Sequence, residues 1–281
     1  MDVTINIETG TRLIKIPVSI NGNGPFSFNF DTGASTTTLS TGLAEKLGIH
    51  TYESNKPNAR GVGGGIPTKF AKARVNIGSL RFDEDELYVL DLDGIMKGAG
   101  DRDGVLGHST LKHCIVSLSY PRKKLRISKG DDNTHDHRSG NDWTNFEYIQ
   151  DSHLVGVPVI VNNQGPFNFV LDTGAGNTVI TPTLAQKIGV SAEPVQGIAR
   201  GLGGDVELKM ASLEFLSVDS IRLDEPTIAV IDLTKVSPKG NLIENGILGF
   251  DFLKNLEIII DYPRKQFSLI DERSAHRSED K

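Results

Sequence analysis

The chain has 281 residues, of which 37% are hydrophobic and 23% charged, with a formal net charge of −6 and a single cysteine. That length suits two small domains better than one, the modest acidity offers no concentrated basic patch and so excludes nucleic acid as the main partner, and no apolar run approaches the roughly 20 residues of a membrane helix. Cys114 alone excludes an intrachain disulfide, and the polar alternation from Asp2 to Ile7 lacks a signal-peptide pattern, so the expectation is a soluble protein, either cytoplasmic or exported with its leader absent from this sequence.

Taken in chain order, Ile16-Pro17-Val18-Ser19-Ile20 is a strand-like run that leads through Gly24-Pro25-Phe26-Ser27-Phe28-Asn29-Phe30 into Asp31-Thr32-Gly33-Ala34. Thr41 to Leu47 has helical character and stops at Gly48, where a left-handed cap costs little. Gly61-Val62-Gly63-Gly64-Gly65-Ile66 reads as a hairpin tip, because no Gly-Lys-Ser/Thr follows as a phosphate loop would require. Asp83-Glu84-Asp85-Glu86 lacks the glycine and final glutamate of a calcium loop and is expected to be a solvated strand edge or turn. Gly104-Val105-Leu106-Gly107, the apolar run Ile115 to Leu118 and Tyr120-Pro121-Arg122-Lys123 complete this half. His113 and Cys114, adjacent on a strand, point to opposite faces, which removes a Cys-His nucleophile pair and assigns Cys114 to the core. Residues 130–142 are polar and charged without apolar periodicity and read as a linker. His135-Asp136-His137 within it is taken as solvated, so neither a metal nor a cofactor is expected. Trp143 and Phe146 are expected to anchor the chain as it leaves the linker.

The second half repeats the first at an offset of about 141 residues. Val157 to Val161, Gly165-Pro166-Phe167, Asp172-Thr173-Gly174-Ala175, a helical Pro182 to Ile188 ended by Gly189, Gly201-Leu202-Gly203-Gly204-Asp205-Val206, Gly246 to Gly249, the apolar Leu256 to Ile260 and Tyr262-Pro263-Arg264-Lys265 recur in the same order. The expected organisation is an N-terminal lobe over 1–129, a linker over 130–142, a C-terminal lobe over 143–273 and a solvated tail over 274–281. A duplicated β unit of this size has an open face to bury, and its covalently tethered copy is the natural partner under a pseudo-twofold axis. Equivalent residues near that axis, Asp31 and Asp172 foremost, then become neighbours.

Phe30-Asp31-Thr32-Gly33-Ala34-Ser35 and Leu171-Asp172-Thr173-Gly174-Ala175-Gly176 resemble the two active-site loops of retropepsin-like aspartic peptidases. The glycine-rich segments resemble that family's flaps, and Val105-Leu106-Gly107 with Ile247-Leu248-Gly249 resemble its apolar-apolar-Gly motif, which passes beneath the active-site loop. The resemblance covers nearly the whole chain outside the linker and tail. It implies a mainly β fold of two retropepsin-like acid-protease β-barrel lobes related by a pseudo-twofold axis, with one short helix or two per lobe. It implies Asp31 and Asp172 as the catalytic pair, Thr32, Gly33, Thr173 and Gly174 as loop supports with the threonines bonded across the axis, and flap contacts to substrate from Gly61, Val62, Gly63, Gly64 and Ile66 and from Gly201, Leu202, Gly203, Gly204 and Val206. A flap in each copy suits the retropepsin pattern better than the single flap of pepsins. Glycine after Asp-Thr is expected to permit the tight turn of each loop.

The chemistry is that of two carboxylates close enough to share one proton, for which aspartic peptidases are the standard instance: one member acts as base and the other as acid toward a water between them. The implied partner is an extended polypeptide, held partly through its backbone, and the chain is expected to work as a monomer with a pseudo-dimeric cleft. Ala34 and Ala175 carry no hydroxyl to stabilise the ionised aspartates, which predicts a weakly acidic to near-neutral optimum. Neither Gly107-His108-Ser109 nor Gly249-Phe250-Asp251 carries the arginine that viral members use there, Ser35 and Gly176 replace its aspartate partner, and the asymmetry suggests unlike subsites. The alternative is a catalytically inactive peptide-binding or scaffold module with the same cleft.

Overall fold

The computed structural model describes residues 2–7, 12–95, 102–130, 142–236 and 242–275. The expected mainly β architecture is present, built on three large sheets. In the first copy seven strands follow the order Lys15–Ile20, Asn23–Phe30, Gly104–Leu106, Thr38–Ser40, Leu80–Leu90, Lys69–Ile77 and Thr51–Tyr52. Lys15–Ile20 also pairs with Lys69–Ile77, so the sheet curls back on itself like a barrel. Alternation along Lys15–Ile20 turns Ile16, Val18 and Ile20 inward and leaves Pro17 exposed.

The second copy has nine strands in the order Glu193–Gly201, Gly204–Ser212, Thr227–Val230, Val179–Ile180, Gly246–Leu248, Gln164–Leu171, Gly156–Val161, Phe215–Val218 and Ile221–Asp224. In both copies the strand that leads to Asp-Thr-Gly runs parallel to the apolar-apolar-Gly strand, with Gly104 opposite Phe28 and Gly246 opposite Phe169. The two predicted helices form as Thr41–Lys46 and Pro182–Lys187. Ser40 and Thr181 cap them by accepting the amides of Leu43 and Leu184 at 3.1 and 3.2 Å. Gly48 and Gly189 end them at φ of 61° and 72°, the left-handed region that glycine enters without penalty.

The third sheet joins the copies. Its six strands follow the order Asp2–Asn6, Lys124–Lys129, Cys114–Ser119, Leu256–Asp261, Gln266–Asp271 and Thr144–Asn145. At its centre the equivalent strands of the two copies pair antiparallel, Ser117 opposite Ile259 and Leu118 opposite Ile258, as a pseudo-twofold axis requires. Separate cores for the two lobes would follow from length alone, but one apolar cluster runs from Ile5 through both copies to Phe267. The shared sheet is the reason, since every residue of Cys114–Ser119 is buried between elements of both halves.

Several smaller expectations are settled by the same framework. Cys114 is buried and His113 exposed, on opposite faces, and burial pushes the Cys114 thiol up to about 12. Asp83 to Glu86 is a solvated strand edge as expected, not a turn: within Leu80–Leu90 this stretch pairs only with Lys69–Ile77, beside a register shift, Asp83 and Asp85 are exposed, and Glu84 accepts a hydrogen bond from Thr110 Oγ1 at 2.5 Å. Phe146 is buried against Tyr148 and Tyr262. A short helix, Glu272–Ala275, covers the first two residues of the expected tail. His135-Asp136-His137 lies outside the described residues, as does most of 130–142. No helix among the described residues is long and apolar enough to cross a membrane.

Because the central sheet belongs to both lobes, Leu118→Ala is expected to lower global stability by about 2–5 kcal/mol. Far-UV circular dichroism and Trp143 fluorescence should shift together in urea; separate transitions would show lobes that unfold independently.

Candidate active site

Each Asp-Thr-Gly segment is a loop at the end of a buried strand, drawn against the strand that passes beneath it. The Asp31 amide donates to Leu106 O and the Asp172 amide to Leu248 O, each at 3.1 Å. His108 and Phe250 donate their amides to Ala34 O and Ala175 O at 2.8 and 2.9 Å. Underneath, Thr37 Oγ1 accepts the Gly107 amide and Thr178 Oγ1 the Gly249 amide, each at 3.1 Å. The copies differ one step further out: Thr178 is held by Asp251 Oδ1 at 2.5 Å, whereas Thr37 meets the Thr110 hydroxyl at 2.7 Å.

The loops meet across the axis through Thr32 and Thr173, both buried. Thr32 Oγ1 donates to Leu171 O at 2.7 Å and accepts the Thr173 amide at 3.0 Å. Thr173 Oγ1 donates to Phe30 O at 3.1 Å and accepts the Thr32 amide at 3.1 Å. Both hydroxyls therefore act as donor and acceptor at once, and no polar atom of either is left without a partner.

This arrangement brings the Asp31 and Asp172 side chains into hydrogen-bonding contact with each other. Asp31 Oδ1 also accepts the amides of Gly33 and Ala34 at 2.8 and 2.9 Å, and Asp172 Oδ1 accepts the Gly174 amide at 2.8 Å. The glycines are required by space more than by turn geometry. Neither Gly33 nor Gly174 has a left-handed φ, but a Cβ on Gly33 would lie 2.7 Å from the Asp172 carboxyl, and one on Gly174 would collide with that of Asp31. Burial raises both carboxyls above the ordinary range against the lowering pull of these amides. Asp172 is raised well above it, first by burial and then by the charge of Asp31.

Two hairpins close over the pair. Ala59–Gly61 pairs with Gly64–Ile66, and Glu193–Gly201 with Gly204–Ser212. Their tips touch: the Gly63 amide donates to Leu202 O at 2.9 Å, and a Cβ on Gly61 or Gly63 would run into the opposite tip. Gly64 and Gly203 turn their hairpins at φ of 123° and 90°. The tip side chains are exchanged. Val62 packs with Ala175 and Val206 on the second lobe's cluster, while Leu202 packs with Ala34 around Ile66, Leu90 and Val105 of the first. Arg60 adds a cross-lobe hydrogen bond, Nε to Lys235 O at 3.1 Å.

A sequence model described as aspartyl protease matches residues 16–110 and again residues 157–252, one copy each. The chain belongs to the aspartyl protease family. None of the curated proteins compared with it matches in sequence. The crystal structure of an aspartic proteinase from Irpex lacteus superposes with a TM-score of 0.52 at 13% identity, covering 96% of this chain and 97% of that one, so the two share the fold.

This aspartyl protease chain also holds side chains at the loops that motif reading passed over. His153 Nε2 lies 2.8 Å from Gly33 O, and Arg12 Nη1 donates to Asn177 Oδ1 at 2.7 Å, so each lobe reaches across to the other's loop. His108 Nε2 lies 3.0 Å from the Tyr148 hydroxyl. Burial lowers both histidines, His108 to about 4. The available signal was the repeat itself, since Arg12-Leu13 and His153-Leu154 stand at equivalent positions before their strands. Among the described residues, no group of three or more His, Cys, Asp or Glu side chains is placed to hold a metal ion.

Thr32→Val removes one donor and one acceptor from the buried cross-lobe lattice and should cost about 2–4 kcal/mol in denaturant unfolding, while Thr32→Ser should cost far less. His108 is held neutral by the fold, so its folded value lies below its unfolded value and its contribution is lost as pH falls from 6.5 to about 4. His108→Phe, which installs the residue of the other copy, should therefore gain on the wild type across that window by on the order of 2 kcal/mol in paired unfolding curves. Parallel curves would show that His108 titrates normally.

Proposed function

We propose that this chain is an aspartic endopeptidase that hydrolyses peptide bonds of extended polypeptides, with Asp31 and Asp172 as its catalytic pair. The observation that carries the reading is the contact of two carboxyls, both raised in pKa, inside a cleft covered by two hairpins. Carboxyls that close do not both ionise at moderate pH, so the pair retains one proton. The ionised member removes a proton from a water between them, the water oxygen bonds to the scissile carbonyl carbon, and the protonated member gives its proton to the carbonyl oxygen. The resulting diol collapses as the amide nitrogen takes a proton from one member of the pair and leaves, while a diol hydroxyl returns its proton to the other member as the new carbonyl forms. No covalent enzyme intermediate forms, and each carboxyl ends in a state that the next cycle can use.

The covering hairpins favour an extended ligand. Their strands offer backbone hydrogen bonds to a chain laid beneath them, and Val62, Leu202 and Val206 offer apolar contacts. For substrate to enter, Val62 and Leu202 have to leave the opposite lobe's cluster, so opening costs apolar burial that a bound side chain restores. Gly61, Gly63, Gly64, Gly201, Gly203 and Gly204 keep the two tips close to each other and to the backbone of the bound chain. Ile66 contributes as a buried wall behind Leu202. Residues 1–129 and 143–273 act as the two lobes around 130–142, and one chain supplies both aspartates, so the working unit is a monomer.

Asp31→Asn and Asp172→Asn should each reduce cleavage of an unfolded protein by at least about a thousandfold, since each removes one partner of the acid-base pair, with the circular dichroism spectrum retained. Wild-type activity should follow a bell-shaped pH profile, falling when the pair gains its second proton and again when it loses its last, and centred in the weakly acidic to near-neutral range. An optimum near pH 3, or cleavage that survives either substitution, would overturn the reading; peptide binding without cleavage would mark an inactive binding module.

A further inference from the structure

Three pairs of equivalent positions differ between the copies in a way that gathers polarity under one loop. Ile7, Arg12 and Phe250 stand on one side of the axis, and Tyr148, His153 and His108 stand in the corresponding places on the other. On the first side Ile7 is buried, Phe250 packs edge-on against Tyr120 at 5.6 Å, and Arg12 points outward to Asn177. On the second side His108 bonds to Tyr148, its ring lies 5.9 Å from that of His153, and His153 bonds to Gly33 O. An apolar cluster has been exchanged for a connected polar one beneath the Asp31 loop.

The acceptor decides the tautomer. A carbonyl oxygen has no hydrogen to give, so His153 Nε2 carries the hydrogen and donates it to Gly33 O. That carbonyl belongs to the same peptide unit as the Ala34 N–H, which donates to Asp31 Oδ1 at 2.9 Å. A donor on the oxygen end of a peptide polarises it and strengthens its N–H as a donor. His153 therefore acts on Asp31 through one peptide bond, without touching it. Its counterpart Arg12 is engaged with the side chain of Asn177 instead, so the two loops are polarised unequally.

We propose that His153 is a positioning residue that decides which aspartate ionises: by donating to Gly33 O it strengthens the Ala34 amide's bond to Asp31, so that Asp31 carries the negative charge and deprotonates the water while Asp172 retains the shared proton. This assignment of roles rests on the hydrolytic reading above, but the asymmetry of the pair does not. His153 itself is lowered by burial, so at near-neutral pH it donates as a neutral imidazole. The groups that face this cluster are His108 and, behind it, Tyr148 and Tyr262, with the Lys265 ammonium 5.4 Å from the Tyr148 ring. Lys112 and His113 bear on His108 from its own segment. None of these is an anion that would hold His153 protonated.

The test is a site-resolved carbon-13 titration of the aspartate carboxyls in the wild type, His153→Phe and His153→Gln, paired with pH profiles of kcat and kcat/KM. In the wild type Asp31 should ionise before Asp172. In His153→Phe the Asp31 titration and the acid limb of kcat/KM should rise together by about half a unit, roughly threefold in the proton equilibrium, with KM little changed. His153→Gln, which keeps an N–H donor, should return both toward the wild-type position. Equal carboxyl titrations in the wild type, an unmoved Asp31 in a folded His153→Phe, or a change confined to KM would overturn the proposal. Should His153→Phe not fold, the wild-type carbon-13 shift of Gly33 C=O decides, since it should follow the titration of His153 and would stay fixed if the bond did not matter. The carboxyl and carbonyl titrations require no turnover, so absence of cleavage would count against the hydrolytic reading alone.

Discussion

Thr32 and Thr173 each donate to a main-chain carbonyl of the other lobe and accept an amide from it, so neither Asp-Thr-Gly loop reaches its geometry without the other. Everything at the cleft depends on that reciprocity. It sets the height of the loops on the axis, and the height sets the separation of the two carboxyls. The glycine that follows each threonine is then the one residue small enough to lie under the opposite carboxyl. Covalent joining of the two copies makes the contact intramolecular, which removes the concentration dependence that an assembly of separate halves would have.

Two carboxyls held in contact are costly to ionise together, and the surrounding structure lowers that cost with fixed donors. Amide donors from Gly33, Ala34 and Gly174 are fixed by the loops and require no reorganisation when charge moves. They partly do the work that a hydroxyl at positions 34 and 175 would do, and they leave the carboxyls above the ordinary range instead of below it. The two hairpins are tied to both lobes at their tips, because Val62 and Leu202 each pack against the apolar cluster of the opposite half. Duplication thus supplies the symmetry that brings the two aspartates together. Divergence at Arg12 and His153, and at Phe250 and His108, makes the surroundings of the two loops unequal, which is the inequality that the proposed acid and base require.

Much of this was legible in the amino-acid sequence. Two Asp-Thr-Gly segments in matched order, with the same helix, glycine-rich tip and apolar-apolar-Gly strand downstream of each, determine a duplicated β protein and identify its paired aspartates, because strand alternation and turn chemistry are local properties that the chain expresses directly. The helix boundaries and the facing of His113 and Cys114 were readable for the same reason. The unlike loops, noted as a departure at His108 and Phe250, hinted that the two sides differ.

Tertiary structure alone decided the rest. The merged core depends on Ser117 lying opposite Ile259, a register no local pattern encodes. The exchange of flap tips, the reason for glycine at 33 and 174, and the reach of His153 to Gly33 O are all contacts between the two halves, separated by more than a hundred residues of chain. Sequence periodicity reports which face of an element is apolar; which atoms of a distant element that face meets is set only when the whole chain packs.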